Sequence, residues 1–411
     1  MATIKNGKDV IALGKLAGDV KGWWEDRPVS AQRHEFSSAS VHIHPFLKIA
    51  GAFDSNADLR CFEIGRPKAG PNDIEIDIQY CGMCHSDCHA CNGDWGINSY
   101  PIAPGHEIAG VVRAVGDKVT EFKVGDKVGV GCMVQSCKQC EQCKAGLEQH
   151  CPKMTQTYGS PFQPTETESF KDAVGHHTNG GYTTAITVDE HFVFHVPSGM
   201  KMEYAGVLLC AGITVYSPLN RHILKKGGGK GKSVAIVGFG GLGQMAIKVA
   251  KAMGVDSVTV LSRSEKKRSA AERMGCEYLV HTDEDKLKES ARKFDVVLDT
   301  VAAVHDVAKL VGTLKVGGTW VLLGAIAQPF EISAFALISS RHSLEGSLIG
   351  GIPETQEMLD FCAKHGIVPE YEVIHAKDAD AQFHALIEGT AAADRKVIDM
   401  STLKGFAENS S

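Results

Sequence analysis

Two groups of cysteine and histidine residues have the types and spacing of metal sites. The first lies within residues 137–151 and has the spacing C-x2-C-x2-C-x7-C, formed by Cys137, Cys140, Cys143 and Cys151. Four thiolates can surround one tetrahedral ion with no open position, which is typical of structural zinc. They also suit an iron–sulfur cluster, which is the chemical alternative. The lobe between these cysteines contains little apolar material, so we expect a bound metal to supply its stability.

The second group is spread along the chain and consists of Cys84, His106 and Cys210. Two thiolates and one imidazole are a known set of ligands for catalytic zinc, with a fourth position left open. These residues are distant in sequence, so only the folded chain can bring them together. Their types alone are a weak signal, because a single buried cysteine or histidine is more often a core residue than a ligand.

A glycine-rich segment predicts a dinucleotide site. It matches the pattern G-x-G-x-x-G and consists of Gly238, Phe239, Gly240, Gly241, Leu242 and Gly243. The segment follows the apolar strand Ser233–Val237 and opens a helix, the context in which this pattern is informative. Glycines allow a tight turn, and the N-terminus of the following helix favours a pyrophosphate.

The residues after the next predicted strand favour NADP(H) over NAD(H). A protein that binds NAD places a carboxylate about 20 residues beyond the glycines, where it holds the ribose 2′-hydroxyl. This chain has Ser262, Arg263 and Ser264 there, followed by Lys267. Hydroxyl groups and cations would bind a 2′-phosphate, which a carboxylate would repel. NAD(H) remains the alternative.

The elements that must position these residues change in character near residue 205. Before it, short β-type segments predict an irregular, mostly β domain, with strands at Ile74–Tyr80, Gly110–Val115 and Lys127–Val130. After it, strands and helices alternate as a parallel, doubly wound sheet requires. Strands are predicted at Ser233–Val237, Ser257–Leu261, Phe294–Asp299 and Thr319–Leu323, and helices at Gln244–Met253 and Glu265–Met274.

The predicted fold class is therefore α/β, with an irregular β-rich catalytic domain and a Rossmann cofactor domain. A chain of 411 residues is long enough for two such domains. We predict an N-terminal extension at residues 1–48, a catalytic domain at 49–205, a cofactor domain at 206–351, and a C-terminal part of the catalytic domain at 352–411.

The composition excludes other classes of function. The net charge of −6 provides no basic surface for nucleic acid or an anionic membrane, and no run of 18 apolar residues predicts a transmembrane helix. The 13 cysteines cannot all pair within the chain, and their clustering favours metal binding. Residues 1–48 lack the apolar core of a secretory signal and contain acids. We therefore expect a surface extension and a cytoplasmic protein, with organelle targeting as the alternative.

Three segments resemble the zinc-containing medium-chain alcohol dehydrogenases, and within them the cinnamyl alcohol dehydrogenase-like branch. They are CGMCHSDCH (81–89), GHE (105–107) and CAG (210–212), and they occur in the family's order. The resemblance extends from about residue 50 to residue 400. It implies a GroES-like catalytic domain, zinc in the four-cysteine lobe and a second, catalytic zinc ion.

The resemblance also assigns roles to the residues of the catalytic site. The residues at the catalytic zinc are Cys84, His106 and Cys210, with Glu107 as an acid that can visit the metal. Asp87 would accept a hydrogen bond from a ligand imidazole and so fix its orientation. Ser86 and His89 would form a proton relay to the substrate.

For the cofactor, the branch's serine pair and lysine match Ser262, Ser264 and Lys267. Arg263 replaces a residue that is usually small, and it should strengthen phosphate binding. Thr214 and Arg395 would contact the cofactor, although a structural salt bridge is an equal alternative for Arg395. Relatives of this branch commonly form homodimers that pair through the cofactor domain, so a homodimer is expected.

The predicted function is the interconversion of primary aromatic or aliphatic alcohols and aldehydes by hydride transfer, with two zinc ions per subunit and NADP(H). NADPH pools are usually kept reduced, so aldehyde reduction is the expected direction. Trp95 would line the substrate pocket, with core packing as an equal alternative. The other hypotheses are NAD-linked alcohol oxidation, a zinc-free quinone reductase of the same superfamily, and a non-catalytic protein on the same fold.

Overall fold

Two large β-sheets organise the part of the chain that a computed structural model describes, which is residues 47–52, 58–64, 66, 69–94, 100–164, 177–326, 328–390 and 394–403. The strands, in chain order, are β1 (Leu47–Ala52), β2 (Leu59–Ile64), β3 (Asp73–Gly82), β4 (Ile108–Val115), β5 (Lys127–Val130), β6 (Met133–Gln135), β7 (Thr155–Gln156), β8 (Ala185–Asp189), β9 (Val193–His195), β10 (Ser233–Val237), β11 (Ser257–Ser262), β12 (Glu277–Val280), β13 (Phe294–Asp299), β14 (Leu314–Leu322), β15 (Ser343–Gly346), β16 (Tyr371–His375) and β17 (Arg395–Asp399). The helices are α1 (His85–Cys91), α2 (Glu141–Lys144), α3 (Met202–Val207), α4 (Ile213–His222), α5 (Gly241–Ala252), α6 (Arg268–Arg273), α7 (Glu284–Glu289), α8 (Val307–Val311), α9 (Ala334–Ile338), α10 (Ile352–His365) and α11 (Ala379–Ile387).

The first sheet has seven strands in the order β16-β17-β3-β4-β5-β9, with β8 also paired to β3. In β3, Ile74, Ile76 and Ile78 recur at every second position and are all buried, which is the pattern of a strand with one face against a core. The pairs are antiparallel except for β16 with β17. The three strands predicted for this region are confirmed as β3, β4 and β5.

The C-terminal part of the chain returns to this first sheet. Strand β17 pairs with β3, with Ile398 opposite Cys81, and β16 extends the sheet beyond β17. Helix α10 packs against α4. This strand pairing agrees with the predicted return of the tail to the first domain. The predicted domain boundary at residue 352 stays a prediction.

The second sheet is parallel and has the order β12-β11-β10-β13-β14-β15. With β10 counted as the first strand, this is the order 3-2-1-4-5-6 of a Rossmann fold. Val234 and Ile236 of β10 join one core cluster, whereas Ala235 and Val237 join another. Both faces of β10 are therefore covered, which explains its continuous apolar sequence. The predicted α/β class with a doubly wound cofactor sheet is confirmed.

Three element boundaries differ by three or more residues from those predicted by the sequence. Helix α5 begins at Gly241 rather than Gln244, because the glycine-rich turn enters the helix directly. A 3-10 turn occupies Glu265–Lys267, so α6 is shorter than the predicted helix. Strand β14 begins at Leu314, whereas the strand was predicted to start at Thr319. The register of its pairing with β13 shifts between these two residues, as in a β-bulge.

One buried helical run joins the two sheets. It consists of α3, one turn of π-helix at Leu208–Gly212, and α4. Within the described residues, Met202–Lys226 is the one run that is long and apolar enough to span a membrane by length and composition, and most of it is buried inside the protein. It contains Glu203 and Arg221, so it is not a continuous apolar segment. Its place in the core accounts for its composition.

Candidate active site and four-cysteine lobe

Strand β3 and helix α1 position the first candidate zinc ligand. Cys84 follows the end of β3 and caps the N-terminus of α1. Its backbone N–H donates to the carboxylate of Asp87 at 2.8 Å. An acid in the first turn of a helix commonly accepts this bond, so the local sequence holds Asp87 directly behind Cys84.

Folding brings together the four residues that were assigned to catalytic zinc. The candidate ligand atoms of Cys84, His106, Glu107 and Cys210 all lie within 4.8 Å of one another. The two sulfur atoms are 3.9 Å apart, and His106 Nε2 is 3.2 Å from Cys210 Sγ. Zinc–sulfur bonds of about 2.3 Å would separate two thiolates of a tetrahedral site by about 3.8 Å. The observed sulfur separation therefore suits a zinc ion.

Asp87 links the segments that carry these ligands. Its carboxylate is wholly buried, and it accepts hydrogen bonds from Gly105 N at 3.1 Å and from the Tyr182 hydroxyl at 3.2 Å. Its Oδ1 is 3.3 Å from His106 Nδ1. This contact leaves His106 Nε2 facing Cys210, as the predicted role of Asp87 requires.

Gly105 allows the His106 segment to approach this carboxylate. Its φ is +102°, in the region that favours glycine, and a Cβ there would lie 2.6 Å from the Tyr182 ring and 2.8 Å from Cys81 Sγ. A larger residue would therefore force a shift of this segment or of Tyr182 and Cys81, which pack against it.

Tyr158 is a neighbour of His106 that the sequence did not reveal. Its hydroxyl is 3.2 Å from His106 Nδ1, and the two rings stack with centroids 5.6 Å apart. Burial raises the pKa of Tyr158 well above its usual value, so its hydroxyl stays protonated. Tyr158 and Tyr182 lie far from His106 in the chain, and no spacing pattern connects them to it.

Glu107 and Arg395 form a buried ion pair beside the ligands. Arg395 Nη2 is 3.4 Å from Glu107 Oε1, and its Nη1 donates to Met83 O at 2.8 Å. Among the described residues, neither Glu107 oxygen has a hydrogen-bond partner. Burial raises the pKa of Glu107 to about 8, against the opposing charge of Arg395. The salt-bridge alternative for Arg395 is thus present, and its cofactor contact stays a prediction.

The π-helical turn at Leu208–Gly212 presents Cys210 to the site. Single π-turns inside helices occur frequently at functional sites. Thr214 Oγ1 donates to Cys210 O at 2.7 Å and so supports this turn, while its predicted cofactor contact stays a prediction. Cys132, which the sequence did not assign, lies beside this turn: its Sγ donates to Leu209 O at 3.9 Å, and a hydrogen bond with Cys210 lowers its pKa.

The two predicted relay residues lie on α1. Ser86 Oγ is 3.6 Å from Cys84 Sγ, next to the candidate ligands. His89 Nδ1 is 2.8 Å from Asp94 Oδ2, and the His89 side chain is 37% exposed. Residues three apart lie on one side of a helix. Ser86 therefore lies at the ligand cluster and His89 nearer to solvent, on one side of the same helix.

Trp95, the predicted pocket residue, lies outside the described residues, as do residues 1–46.

The four cysteines of the lobe converge around one point. Their sulfur atoms lie within 4.8 Å of one another, with Cys140 and Cys143 at 3.5 Å and Cys137 and Cys143 at 3.9 Å. Backbone N–H groups of Gln139 and Cys140 donate to Cys137 Sγ. Burial opposes ionisation of this thiol, but these N–H groups lower the pKa of Cys137 to about 6. Such bonds favour the thiolate form, which is the form that binds metal.

The lobe docks on the start of α10. Glu148 accepts a hydrogen bond from Ile352 N at 3.0 Å and pairs with His191 Nε2 at 3.0 Å. A Cβ on Gly351, the N-cap residue of α10, would lie 1.7 Å from Gly146 O. The lobe and the C-terminal segment therefore meet backbone against backbone.

The glycine-rich turn lies where the order of the parallel sheet reverses, between β10 and β13. Gly238 has a φ of +93°, and a Cβ there would lie 2.9 Å from Thr300 Oγ1. A Cβ on Gly243 would be 2.4 Å from Gly238 O, but one on Gly240 would meet nothing within 4 Å. One side of the turn is thus tightly packed and the other is open. Nucleotides bind in this crevice in open α/β sheets.

The candidate phosphate-binding residues lie at the end of β11 and directly after it, at the same edge of the sheet; they are Ser262, Arg263, Ser264 and Lys267. Lys267 Nζ donates to Phe239 O at 3.0 Å and so lies beside the glycine-rich turn. The nearest acid in the chain, Glu265, forms an ion pair with Arg268. The region therefore combines cations and hydroxyl groups, as a 2′-phosphate site requires.

Comparisons with known proteins agree with this arrangement. Residues 70–198 match the alcohol dehydrogenase GroES-like domain, and residues 241–364 match the zinc-binding dehydrogenase family. NADP-dependent alcohol dehydrogenase C 1 of Mycolicibacterium smegmatis is 47% identical over 344 residues, which cover 83% of this chain and 94% of that protein. A cinnamyl alcohol dehydrogenase from Sorghum bicolor superposes with a TM-score of 0.80 at 36% identity, covering 86% of this chain and 98% of that one. A cinnamyl alcohol dehydrogenase from Helicobacter pylori, complexed with NADP(H), has a TM-score of 0.77 at 39% identity with the same coverage.

The chain belongs to the zinc-containing medium-chain alcohol dehydrogenases, within the cinnamyl alcohol dehydrogenase-like branch. Its two domains are a GroES-like catalytic domain and a Rossmann cofactor domain. It is an oxidoreductase of alcohols and aldehydes.

Proposed function

We propose that this protein is a zinc-dependent, NADPH-linked aldehyde reductase that interconverts primary alcohols and aldehydes and works in the direction of reduction. The observation that carries the proposal is the convergence of Cys84, His106 and Cys210 beside Glu107. Two thiolates and one imidazole neutralise a zinc ion and leave one position for a substrate. Glu107 is paired with Arg395 but forms no hydrogen bond among the described residues, which leaves its buried oxygens available to a metal ion beside the three ligands.

In this mechanism the chain's own residues orient the substrate and move the proton. A zinc ion at the three ligands would polarise the aldehyde carbonyl and stabilise the negative charge that develops on its oxygen. Asp87 keeps the His106 imidazole turned toward the site through the 3.3 Å contact at Nδ1. The Ser86 hydroxyl, next to Cys84, supplies the proton to the product oxygen. His89 is partly exposed and replenishes that proton from solvent.

The second part of the proposal is a zinc ion in the four-cysteine lobe. Four thiol groups with this spacing leave no open position, so the ion would stabilise the fold without taking part in catalysis. The lobe has short secondary structure only, α2 and a 3-10 turn, and none of the residues of α2 is buried. A bound ion would therefore replace the hydrophobic core that the lobe lacks.

NADPH is proposed as the hydride donor because of the residues near the end of β11. Lys267 contacts the glycine-rich turn, and Arg263 and Ser264 are exposed beside it. The relatives named as NADP-dependent, and the Helicobacter pylori structure with NADP(H), support this choice. NAD-linked alcohol oxidation is the alternative function.

The cofactor proposal is tested with initial rates on cinnamaldehyde, benzaldehyde and hexanal, with NADPH and then NADH at subsaturating concentration. NADPH should be preferred on the order of 10²-fold in kcat/KM, because charge-assisted hydrogen bonds to the phosphate contribute about 1.5–3 kcal/mol each. Lys267→Ala should reduce the preference, while Lys266→Ala, its exposed neighbour, serves as the control. A wild-type preference for NADH would refute this part of the proposal.

The zinc proposal is tested with Cys84→Ala. Turnover should fall by at least on the order of 10²- to 10³-fold, because the developing charge loses its stabilisation. Zinc content, measured by mass spectrometry of the metal, should fall from two ions to one per subunit, and NADPH affinity should be retained. Cys276→Ala is the matched control, since Cys276 is a buried cysteine of the cofactor domain. Full activity of Cys84→Ala would show that the site assignment is wrong.

A further inference from the structure

A buried acid and a histidine are paired at the carboxyl end of the central strand β13. Asp299, the last residue of β13, has no exposed side-chain surface, and its Oδ2 is 3.0 Å from His305 Nε2. Its other oxygen, Oδ1, accepts a hydrogen bond from Val301 N at 3.1 Å. The His305 side chain is only 8% exposed, and its Nδ1 is 2.9 Å from Ala303 O. We call residues 300–305 the β13 loop.

These contacts require a proton on both nitrogens of His305. The carbonyl of Ala303 and the carboxylate of Asp299 are acceptors only, and a neutral imidazole has a single N–H donor. The imidazolium makes both bonds, whereas the neutral ring makes one of them. The hydrogen bond to Asp299 raises the pKa of His305, which agrees with this requirement.

The β13 loop is also bonded to the glycine-rich turn. Asp299 lies opposite Val237, the residue before that turn, in the parallel pair of β13 and β10. Thr300 N and Thr300 Oγ1 both donate to Val237 O, at 3.1 and 2.7 Å. A Cβ on Gly238 would lie 2.9 Å from both Thr300 Oγ1 and Val301 Cγ2. A displacement of the β13 loop would therefore displace the glycine-rich turn.

We propose that His305 is a positioning residue for the dinucleotide, which as an imidazolium ties the β13 loop to Asp299 and so shapes the wall of the cofactor crevice. The crevice lies between β10 and β13, where the strand order reverses. The β13 loop forms its side opposite β11. This inference rests on the proposed function, because it concerns the site at which NADPH would bind.

The charged groups around His305 determine the sign of the effect. Asp299 on β13 and Asp306 beside α8 favour the imidazolium, while burial and the charge of His305 lower the pKa of His281, which follows β12. Lys309 on α8 pairs with Glu284 on α7. A histidine whose pKa is raised in the folded protein keeps its contacts below that pKa and loses them as the pH rises through it. Cofactor affinity should follow the same direction.

The first test compares His305→Gln with His342→Gln. His342 also places both ring nitrogens against carbonyls, those of Ala336 and Leu314, but Leu314 is at the amino end of β14, the opposite edge of the sheet. NADPH dissociation constants are measured by fluorescence titration, and hydrogen exchange of residues 300–306 is measured without cofactor. In His305→Gln we expect faster exchange and about a fivefold to tenfold higher Kd, because His305 acts through the β13 loop and only part of the effect of one lost charge-assisted hydrogen bond reaches the crevice. His342→Gln should change neither.

The second test needs no variant and so does not depend on folding of a mutant. The pKa of His305 is measured by NMR in the wild-type protein, with and without NADPH, and the Kd for NADPH and NADH is measured from about pH 6 to about 9. Affinity for both cofactors should decrease as His305 loses its proton, and bound cofactor should raise its pKa. Ionisation of the 2′-phosphate would act in the opposite direction and only on NADPH.

The outcomes separate this inference from the proposed function. An unchanged Kd for His305→Gln, or a His305 that is neutral throughout the pH range, would overturn the inference while leaving NADPH binding intact. A wild-type protein that binds neither cofactor would remove the proposed function. The exchange difference in the cofactor-free protein would then still report whether His305 holds the β13 loop.

Discussion

Among single residues, Asp87 has the most connections within the candidate active site. It accepts hydrogen bonds from Cys84 N and Gly105 N, and it contacts the imidazole of His106. Two candidate ligand segments, at residues 84 and 105–106, are therefore positioned by one buried carboxylate. The sequence predicted the contact with an imidazole, but the two backbone bonds depend on how the segments pack.

Asp87→Asn should weaken zinc binding at the catalytic site without removing a ligand. The amide cannot accept as many of these bonds, and loss of a carboxylate partner of a ligating histidine typically costs about 10- to 100-fold in metal affinity. Affinity is measured by competition with a zinc-binding dye. Asp77→Asn is the control, because Asp77 lies on β3, the strand that precedes Cys84, but its side chain is 57% exposed. Wild-type zinc affinity in Asp87→Asn would contradict the role given to Asp87.

Among the elements, the contact of the four-cysteine lobe with α10 couples the lobe to the C-terminal part of the chain. Glu148 in the lobe accepts the hydrogen bond from the first residue of α10, Ile352. Gly351 and Gly146 touch through their backbones, with no room for a Cβ. The lobe is thus held by its own cysteines and by this docking contact.

Gly351→Ala should destabilise the protein by separating the lobe from α10. Overpacking costs about 1–3 kcal/mol, which would lower Tm on the order of 5 °C in a domain of this size. Gly312→Ala is the matched control, since Gly312 has an ordinary φ and a Cβ there would meet nothing within 4 Å. Differential scanning fluorimetry of both variants measures the effect. Equal Tm values would mean that the docking contact is not tight in solution.

At the scale of the whole molecule, the parallel sheet ends at an exposed strand. Strand β15 is the last strand on its side of the sheet, and no other described strand pairs with its outer edge. Phe335, Ile338 and Leu348, which flank β15 in the chain, are 73%, 67% and 54% exposed. Exposed apolar residues beside an open strand edge are typical of an interface. We therefore propose that the expected homodimer forms through β15 and α9.

Phe335→Asp should convert this dimer to a monomer, because a charge would replace a large apolar anchor at the interface. Sedimentation velocity should give a wild-type mass of two chains of 44.0 kDa and a variant mass of one chain. Val124→Asp is the control. Val124 is likewise an exposed apolar residue, at 61%, but it lies in the loop before β5, a strand of the first sheet. A wild-type protein that sediments as a monomer would rule out the proposed dimer.

The sequence by itself determined the features that depend on near neighbours in the chain. The four cysteines fall within one short segment, so their spacing alone predicts convergence around one ion. The glycine-rich turn was predicted because a strand, a turn and a helix follow one another directly. Strands β3, β10 and β13 were predicted from local patterns of apolar residues. Strands β12 and β15 were not, because they are short and contain charged or partly exposed residues.

Only the tertiary structure decided which distant residues meet. Cys84 and Cys210 are separated by 126 positions, and their 3.9 Å contact depends on packing of α3, which leads directly into the π-helical turn, against β3 and β4. Tyr158 beside His106, Glu107 beside Arg395, and Asp299 against His305 likewise arise from packing. Such contacts leave no periodic signal in a sequence, because a side chain's neighbours across a core are set by the arrangement of whole elements and not by spacing along the chain.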